Sequence, residues 1–269
     1  MNKSVIMLIQ KAETGNADSQ NQLGDAYYDG IGIEQDHAKA FEWYLRAAEQ
    51  GHGKAQYNVA YAYANGIGTQ KNTSEAIKWF GKSADQGVAL ALYVLAKMLI
   101  DGQFIEQDIT KGLDLLQKAS DQGLDLAHYD LGTIFLEGRI VMPDVNKGIS
   151  FLVLSAEQGN KDAQYNLGLA YSNLPEPNYA TAEKYLRKAS FNGHFKAMFE
   201  LSRLYTINFR DYKQGLLWAI VALEYCDDHD EQRINRIKNI LESKPSTAEG
   251  EVVSSEARNI IAALDASLC

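Results

Sequence analysis

Apolar side chains recur along this chain at helical rather than strand spacing. Ser19, Leu23 and Tyr27 stand four apart, and after Gly30 and Gly32 a second stripe follows as Ala40, Trp43, Tyr44 and Ala48. Spacings of three and four gather residues on one face of an α-helix, so the segment predicts two helices joined by a glycine turn. The same pattern returns after 36 residues as Ala55, Val59, Tyr63, Gly66, Gly68, Ala76, Trp79, Phe80 and Ala84. A period of that length marks stacked supersecondary units.

Softer matches hold the register through Ala91, Leu95, Leu99, Gly102, Leu115 and Gly123, and then through Ala127, Leu131, Gly132, Phe135, Gly138, Phe151 and Gly159. A fifth unit opens at Ala163, Leu167, Gly168 and Tyr171, with a turn two residues shorter that carries Pro175 and Pro177. A sixth follows with Ala197, Leu201, Tyr205, Trp218 and Ala222. The units therefore start near residues 17, 53, 89, 125, 161 and 195. Run backwards, the period sets Ala12 and Gly15 opposite Ala48 and Gly51, which makes residues 1–15 a half-unit cap. Small residues in the stripes let helix backbones approach, and aromatic residues fill the gaps between pairs. Gly51 and its equivalents sit just past the second helix, where a left-handed cap residue is easiest for glycine.

The motif A-x-x-x-LG-x-x-Y-x-x-G-x-G, an acidic residue, then KA-x-x-WY-x-KAA-x-x-G is matched closely at 19–51 and 55–87. It resembles the Sel-one-like repeat family, which is related to the tetratricopeptide repeats. The resemblance covers residues 1–226 and implies an all-α, right-handed α/α superhelical solenoid of helix-turn-helix repeats that serves as a scaffold or adaptor. Phe104 departs from the motif by replacing the second turn glycine of the third unit, and units five and six lack the glycine turn. Beyond residue 226 two further stripes, Ile234, Ile237 and Leu241, then Val253, Ala257, Ile260, Ile261, Leu264 and Leu268, predict C-terminal capping helices over 227–269. Such caps cover the apolar face of a last repeat, and Ser246 with Glu249 has the spacing of a capping box for the final one.

If the core stripe of each first helix centres on Leu23 and its equivalents, the opposite face carries three columns, at two before, two after and five after. The first reads Asn21, Tyr57, Tyr93, Tyr129, Tyr165 and Phe199. The second reads Asp25, Tyr61, Lys97, Thr133, Leu169 and Arg203, and the third Tyr28, Ala64, Ile100, Leu136, Ser172 and Thr206. The resemblance implies that first helices line a concave groove. Tyr28, Tyr57, Tyr61, Tyr93, Lys97, Ile100, Tyr129, Leu136, Tyr165, Leu169, Phe199 and Arg203 are then the candidate partner-binding residues. Rigid aromatic side chains suit capture of a protein or peptide segment, although the first-column tyrosines equally suit packing between adjacent units.

Composition narrows the partner. A formal net charge of −9 disfavours nucleic acid, which is held by clustered lysine and arginine. No apolar run reaches the length of a spanning helix, and residues 5–9 are too short for a signal-peptide core. The expectation is no membrane insertion and a cytoplasmic lean, or a periplasmic or secreted protein if a leader has been removed. The two cysteines, Cys226 and Cys269, read as ordinary residues rather than a disulfide.

No catalytic residues, metal or cofactor are expected. Ser-x-x-Lys, His-Glu-x-x-His and Cys-x-x-Cys are absent from the sequence, and the recurring Gly-x-Gly is a turn rather than a phosphate loop. The acidic run at 227–231 reads as charge at a helix start. The leading expectation is a non-enzymatic scaffold or adaptor that binds a protein or peptide. The alternatives are an immunity or inhibitor protein occluding a basic effector and, less favoured, a cell-wall-fragment binder or hydrolase.

Overall fold

A computed structural model of the chain describes residues 3–225 together with 235, 239, 255 and 257–260. Every regular element among the described residues is helical. The chain forms two compact units, residues 1–127 and 128–269, and this division falls inside the repeat array rather than at its end. In the N-terminal unit a single helix α1 (Lys3–Glu13) precedes three pairs. These are α2 (Ala17–Asp29) with α3 (His37–Glu49), α4 (Gly53–Asn65) with α5 (Thr73–Asp85), and α6 (Ala89–Asp101) with α7 (Ile109–Asp121). Each helix packs on the next in the chain.

Helix α8 (Asp125–Glu137) runs into the C-terminal unit, where α9 (Val145–Glu157), α10 (Lys161–Ser172), α11 (Tyr179–Phe191), α12 (Phe195–Arg203) and α13 (Tyr212–Tyr225) follow, each packed on the next. Of the predicted C-terminal caps, most residues, with Cys226, Cys269, Ser246 and Glu249, lie outside the described ones. Ala257 is fully buried in the cluster formed by α11, α12 and α13, and Ile260 packs against it.

The repeat motif has a local physical cause at each position. The acidic or amide residue before every second helix is its N-cap: Asp36, Asn72, Asp108, Asp144 and Asn178 accept from the backbone N–H three residues on. Such a cap is worth about 1 kcal/mol. The first helices end on a left-handed glycine, Gly30 and Gly66, whose following N–H returns to Ala26 and Ala62, as in a Schellman ending. Gly51 closes the second helix at φ +90°. Close approach fixes the other small residues, because a Cβ at Gly24 would lie 2.5 Å from the Tyr44 ring and one at Gly168 2.5 Å from Leu186.

Where the motif is broken, the backbone keeps its shape at a cost. Phe104 takes φ 68° while 70% exposed, a conformation that costs a residue with a Cβ about 1–2 kcal/mol. Phe104→Gly is therefore expected to stabilise the N-terminal unit by about 1 kcal/mol, after allowing for the greater chain entropy of glycine. Urea unfolding checks this, and an unchanged or lower midpoint contradicts it. In the sixth pair the missing glycine turn is replaced by a π-helical turn, Leu204–Phe209, and Arg210 adopts the left-handed conformation before α13.

A polar device absent from the motif ties successive pairs together. Gln20, Gln56 and Gln164 are buried, and each donates from Nε2 to the carbonyl of Ala12, Ala48 or Ala156 at the end of the preceding helix. Their amide oxygens accept in turn from Gln50, Gln86 and Asn192. Each glutamine thus satisfies one of the carbonyls that a helix end leaves without an intrahelical partner.

Candidate functional site

In the N-terminal unit, α2, α3 and α4 enclose a cavity of about 290 Å³. Helix α2 supplies Asp25, Tyr28 and Asp29, α3 supplies His37, Phe41 and Tyr44, and α4 supplies Tyr57, Asn58 and Tyr61. Tyr57 and Tyr61 stack at 6.4 Å between ring centroids, and Tyr28 lies 5.0 Å from the His37 ring. Tyr57 also rests edge-on against Phe80, which fixes its ring from behind.

Asp25 is held at the centre of a polar net. The buried Tyr44 hydroxyl donates to its Oδ1 at 2.8 Å, Asn21 Nδ2 donates to its Oδ2 at 3.1 Å, and Asn58 reaches Oδ1 at 3.5 Å. Burial pushes the Asp25 carboxyl above its ordinary value against the Tyr44 hydrogen bond; Asp29 raises it further, and His52 and Lys54 pull it down. Burial, then the bond to Asp25, pushes the Tyr44 phenol well up, so it stays a donor. Among the described residues neither Asp25 nor Asp29 is ion-paired.

A carboxyl whose folded pKa is raised destabilises the fold in its charged form. That cost is absent below the unfolded pKa of about 3.9 and complete above the raised folded value. The melting temperature of Asp25→Asn relative to wild type is therefore expected to rise between pH 3.5 and pH 7. A relative fall over that range would mean that the hydrogen bonds outweigh burial.

The repeat itself provides an internal comparison. One hundred and eight residues on, α8, α9 and α10 build a second cavity of about 320 Å³ in the C-terminal unit. Thr133, Leu136, Glu137, Val145, Asn166 and Leu169 stand there where the first cavity has Asp25, Tyr28, Asp29, His37, Asn58 and Tyr61. Position 44 is decisive, since its repeat equivalents Phe80, Leu116, Leu152 and Leu186 are all buried and none carries a hydroxyl. Packing accepts leucine at this place, so the Tyr44 hydroxyl and its Asp25 partner are additions to the scaffold.

The sequence-derived site residues separate into three groups. Tyr28, Tyr57 and Tyr61 line the first cavity, and Leu136 and Leu169 line the second. Tyr129, Tyr165 and Phe199 sit half-buried between helices: Tyr129 Oη accepts from Asn166, Tyr165 stacks on His194 at 4.3 Å, and Phe199 packs on the α11–α13 cluster. Tyr93 and Lys97 are half-buried on α6, and Arg203 is exposed and paired with Glu200 at 2.7 Å.

Ile100 corrects the column reading. It is buried against α7, where Gly112 leaves room for it. Asn21, another column residue, is likewise buried and accepts from Asn58 at 3.1 Å. A helix stacked in an array is covered by its partner and by its neighbours, so the face opposite one stripe is narrower than a single apolar stripe suggests.

Tyr44, Asp29, Asn58 and His37 were missed. Tyr44 reads in the sequence only as a core aromatic, although its repeat equivalents Phe80, Leu116, Leu152 and Leu186 all lack the hydroxyl. His194 and His52 cap α12 and α4 by accepting on Nδ1 from the backbone N–H groups of Ala197 and Ala55. Among the described residues no group of histidine, cysteine or carboxylate residues is arranged to hold a metal ion, and no helix is long and apolar enough to cross a membrane. The acidic run at 227–231 lies outside the described residues.

The family model of the Sel1 repeat matches residues 17–52, 53–88, 89–124, 125–160 and 161–194. Among solved structures, a Sel1 repeat protein from Oxalobacter formigenes is 28% identical, with a TM-score of 0.67 over 84% of this chain and 89% of its own. The protective antigen c5321 of uropathogenic Escherichia coli, which displays an SLR fold, is 26% identical with a TM-score of 0.59. That match covers 96% of this chain and 62% of the antigen. The immunity protein Pa5087 from Pseudomonas aeruginosa, 24% identical with a TM-score of 0.47 over 86% of this chain and 83% of its own, is too loosely alike to bear on function. No curated protein matches the sequence significantly.

Proposed function

The chain belongs to the Sel1 repeat family, and from that premise we propose that it is a non-catalytic interaction module that binds a protein or peptide segment in the cavity of α2, α3 and α4. The observation that carries this reading is the pairing of Tyr44 with Asp25 beside Tyr28, Tyr57 and Tyr61, at repeat positions where the fold accepts aliphatic residues. Aromatic side chains on packed helices bury large area at small entropic cost and are typical binding anchors. Asp25 and Tyr44 hold one another through a hydrogen bond, and no serine, threonine, cysteine or lysine stands among the lining residues.

The test is affinity purification of the tagged chain from its own host, comparing wild type with Tyr61→Ala. Tyr61 is 41% exposed, so its truncation spares the core. A partner lost from the variant at unchanged melting temperature supports the proposal, and a partner retained at wild-type level refutes it. A one-to-one, salt-sensitive complex would specify the inhibitor version favoured by the net charge of −9. Several partners would specify an adaptor.

A further inference from the structure

We infer that the cavity of α2, α3 and α4 receives an arginine side chain of the protein partner. The inference rests on the protein-binding reading above and adds the chemistry of the residue that enters. Tyr28, Tyr57 and Tyr61 offer π-faces at the cavity, and Asp25 and Asp29 bring two carboxylates to the same space. Aromatic faces beside unpaired carboxylates attract a planar cation, which stacks and donates at once.

The carboxylate geometry is prepared for such a guest. Two side chains, Tyr44 and Asn21, hold Asp25 within ordinary hydrogen-bond distance, and Asn58 lies at the outer limit of 3.5 Å. An ionised carboxylate has about four acceptor sites, so at least one remains for an incoming N–H. Burial of this carboxylate without a counter-ion is costly, and a guanidinium beside it removes that cost. The second cavity keeps one carboxylate, Glu137, which is paired with Arg139 at 3.2 Å, and has Thr133, Leu136 and Leu169 in place of Asp25, Tyr28 and Tyr61. Charge complementarity therefore belongs to the first cavity and not to the repeat in general.

The probe is the tripeptide acetyl-Gly-Arg-Gly-amide, titrated into the full chain carrying ring-labelled tyrosine, with tyrosine NMR shifts as the readout. Its citrulline counterpart keeps the shape and removes the charge. The Tyr28, Tyr57 and Tyr61 resonances are expected to move, with the citrulline peptide binding at least tenfold more weakly. Asp25→Asn and the exposed Asp29→Asn should each weaken the arginine peptide at least fivefold, with the signals of tyrosines outside the cavity unchanged. Equal binding of citrulline, unaffected binding by both aspartate variants, absence of shifts, or tighter binding of tetramethylammonium would each overturn the inference. Those results alongside a partner still lost from Tyr61→Ala would leave the protein-binding reading standing and remove only the arginine.

Discussion

Gly68→Ala is expected to destabilise the N-terminal unit by about 3 kcal/mol, combining the penalty of a left-handed residue with a Cβ and that of an overpacked contact. Gly68 sits at φ +68°, and an added Cβ would overlap the carbonyl oxygen of His37 at the start of α3. Backbone on both sides leaves no flexible side chain to yield. The loss should appear as a fall in melting temperature of roughly 10 °C. Gly51→Ala is the control, because at φ +90° it has nothing within 4 Å of the added Cβ and should cost only about 1 kcal/mol. Equal losses from the two variants would show that the close approach to His37 is unimportant. Because Ile67 and His37 both line the first cavity, Gly68 also fixes the distance across which that cavity opens.

The second large effect is expected in the C-terminal unit. Trp218 is fully buried in α13, edge-on to Phe191 at 5.9 Å, with the Arg187 guanidinium 5.6 Å from its ring. Arg187 is itself held by Glu183 and by the hydroxyl of Tyr205. Trp218→Ala should cost about 3–5 kcal/mol, the usual range for emptying a large aromatic site. Among the described residues the indole N–H has no hydrogen-bond partner, so Trp218→Phe gives up packing volume but also removes a buried donor. That variant should lose less than half as much. Chemical denaturation followed by circular dichroism measures both, and a phenylalanine variant as unstable as the alanine one would mean that the N–H is satisfied in solution.

Much of this architecture is legible in the amino-acid sequence. The 36-residue period gave the helix pairs because each stripe must bury its apolar face on a neighbour, and the turn glycines marked left-handed positions directly. Phe104 was visible as a departure, and the backbone keeps a left-handed conformation there despite it. The polar contacts were less legible. Gln20, Gln56 and Gln164 lie inside the stack, and their role depends on carbonyls at the ends of preceding helices, which a stripe of apolar residues does not reveal.

The site was half legible for the same reason. Counting faces from Leu23 brought Tyr28, Tyr57 and Tyr61 together, but it also put Ile100 and Asn21 outside, where neighbouring helices in fact cover them. Tyr44 belongs to a second helix and reaches the cavity only because the hydroxyl extends past Gly24 to Asp25. Periodicity identifies what repeats, whereas this cavity is distinguished by a position that fails to repeat. Comparing each column for its exception, rather than for its consensus, would have found Tyr44.

The most direct measurement is site-specific photo-crosslinking in the native host. A photoreactive residue replaces Tyr61 at the cavity in one strain and the exposed Glu42 of α3 in another. A discrete crosslinked protein from position 61, absent from position 42 and abolished by Asp25→Asn in the same chain, is the predicted result. Crosslinking from position 42 with none from position 61 would contradict the assignment of the cavity as the binding site.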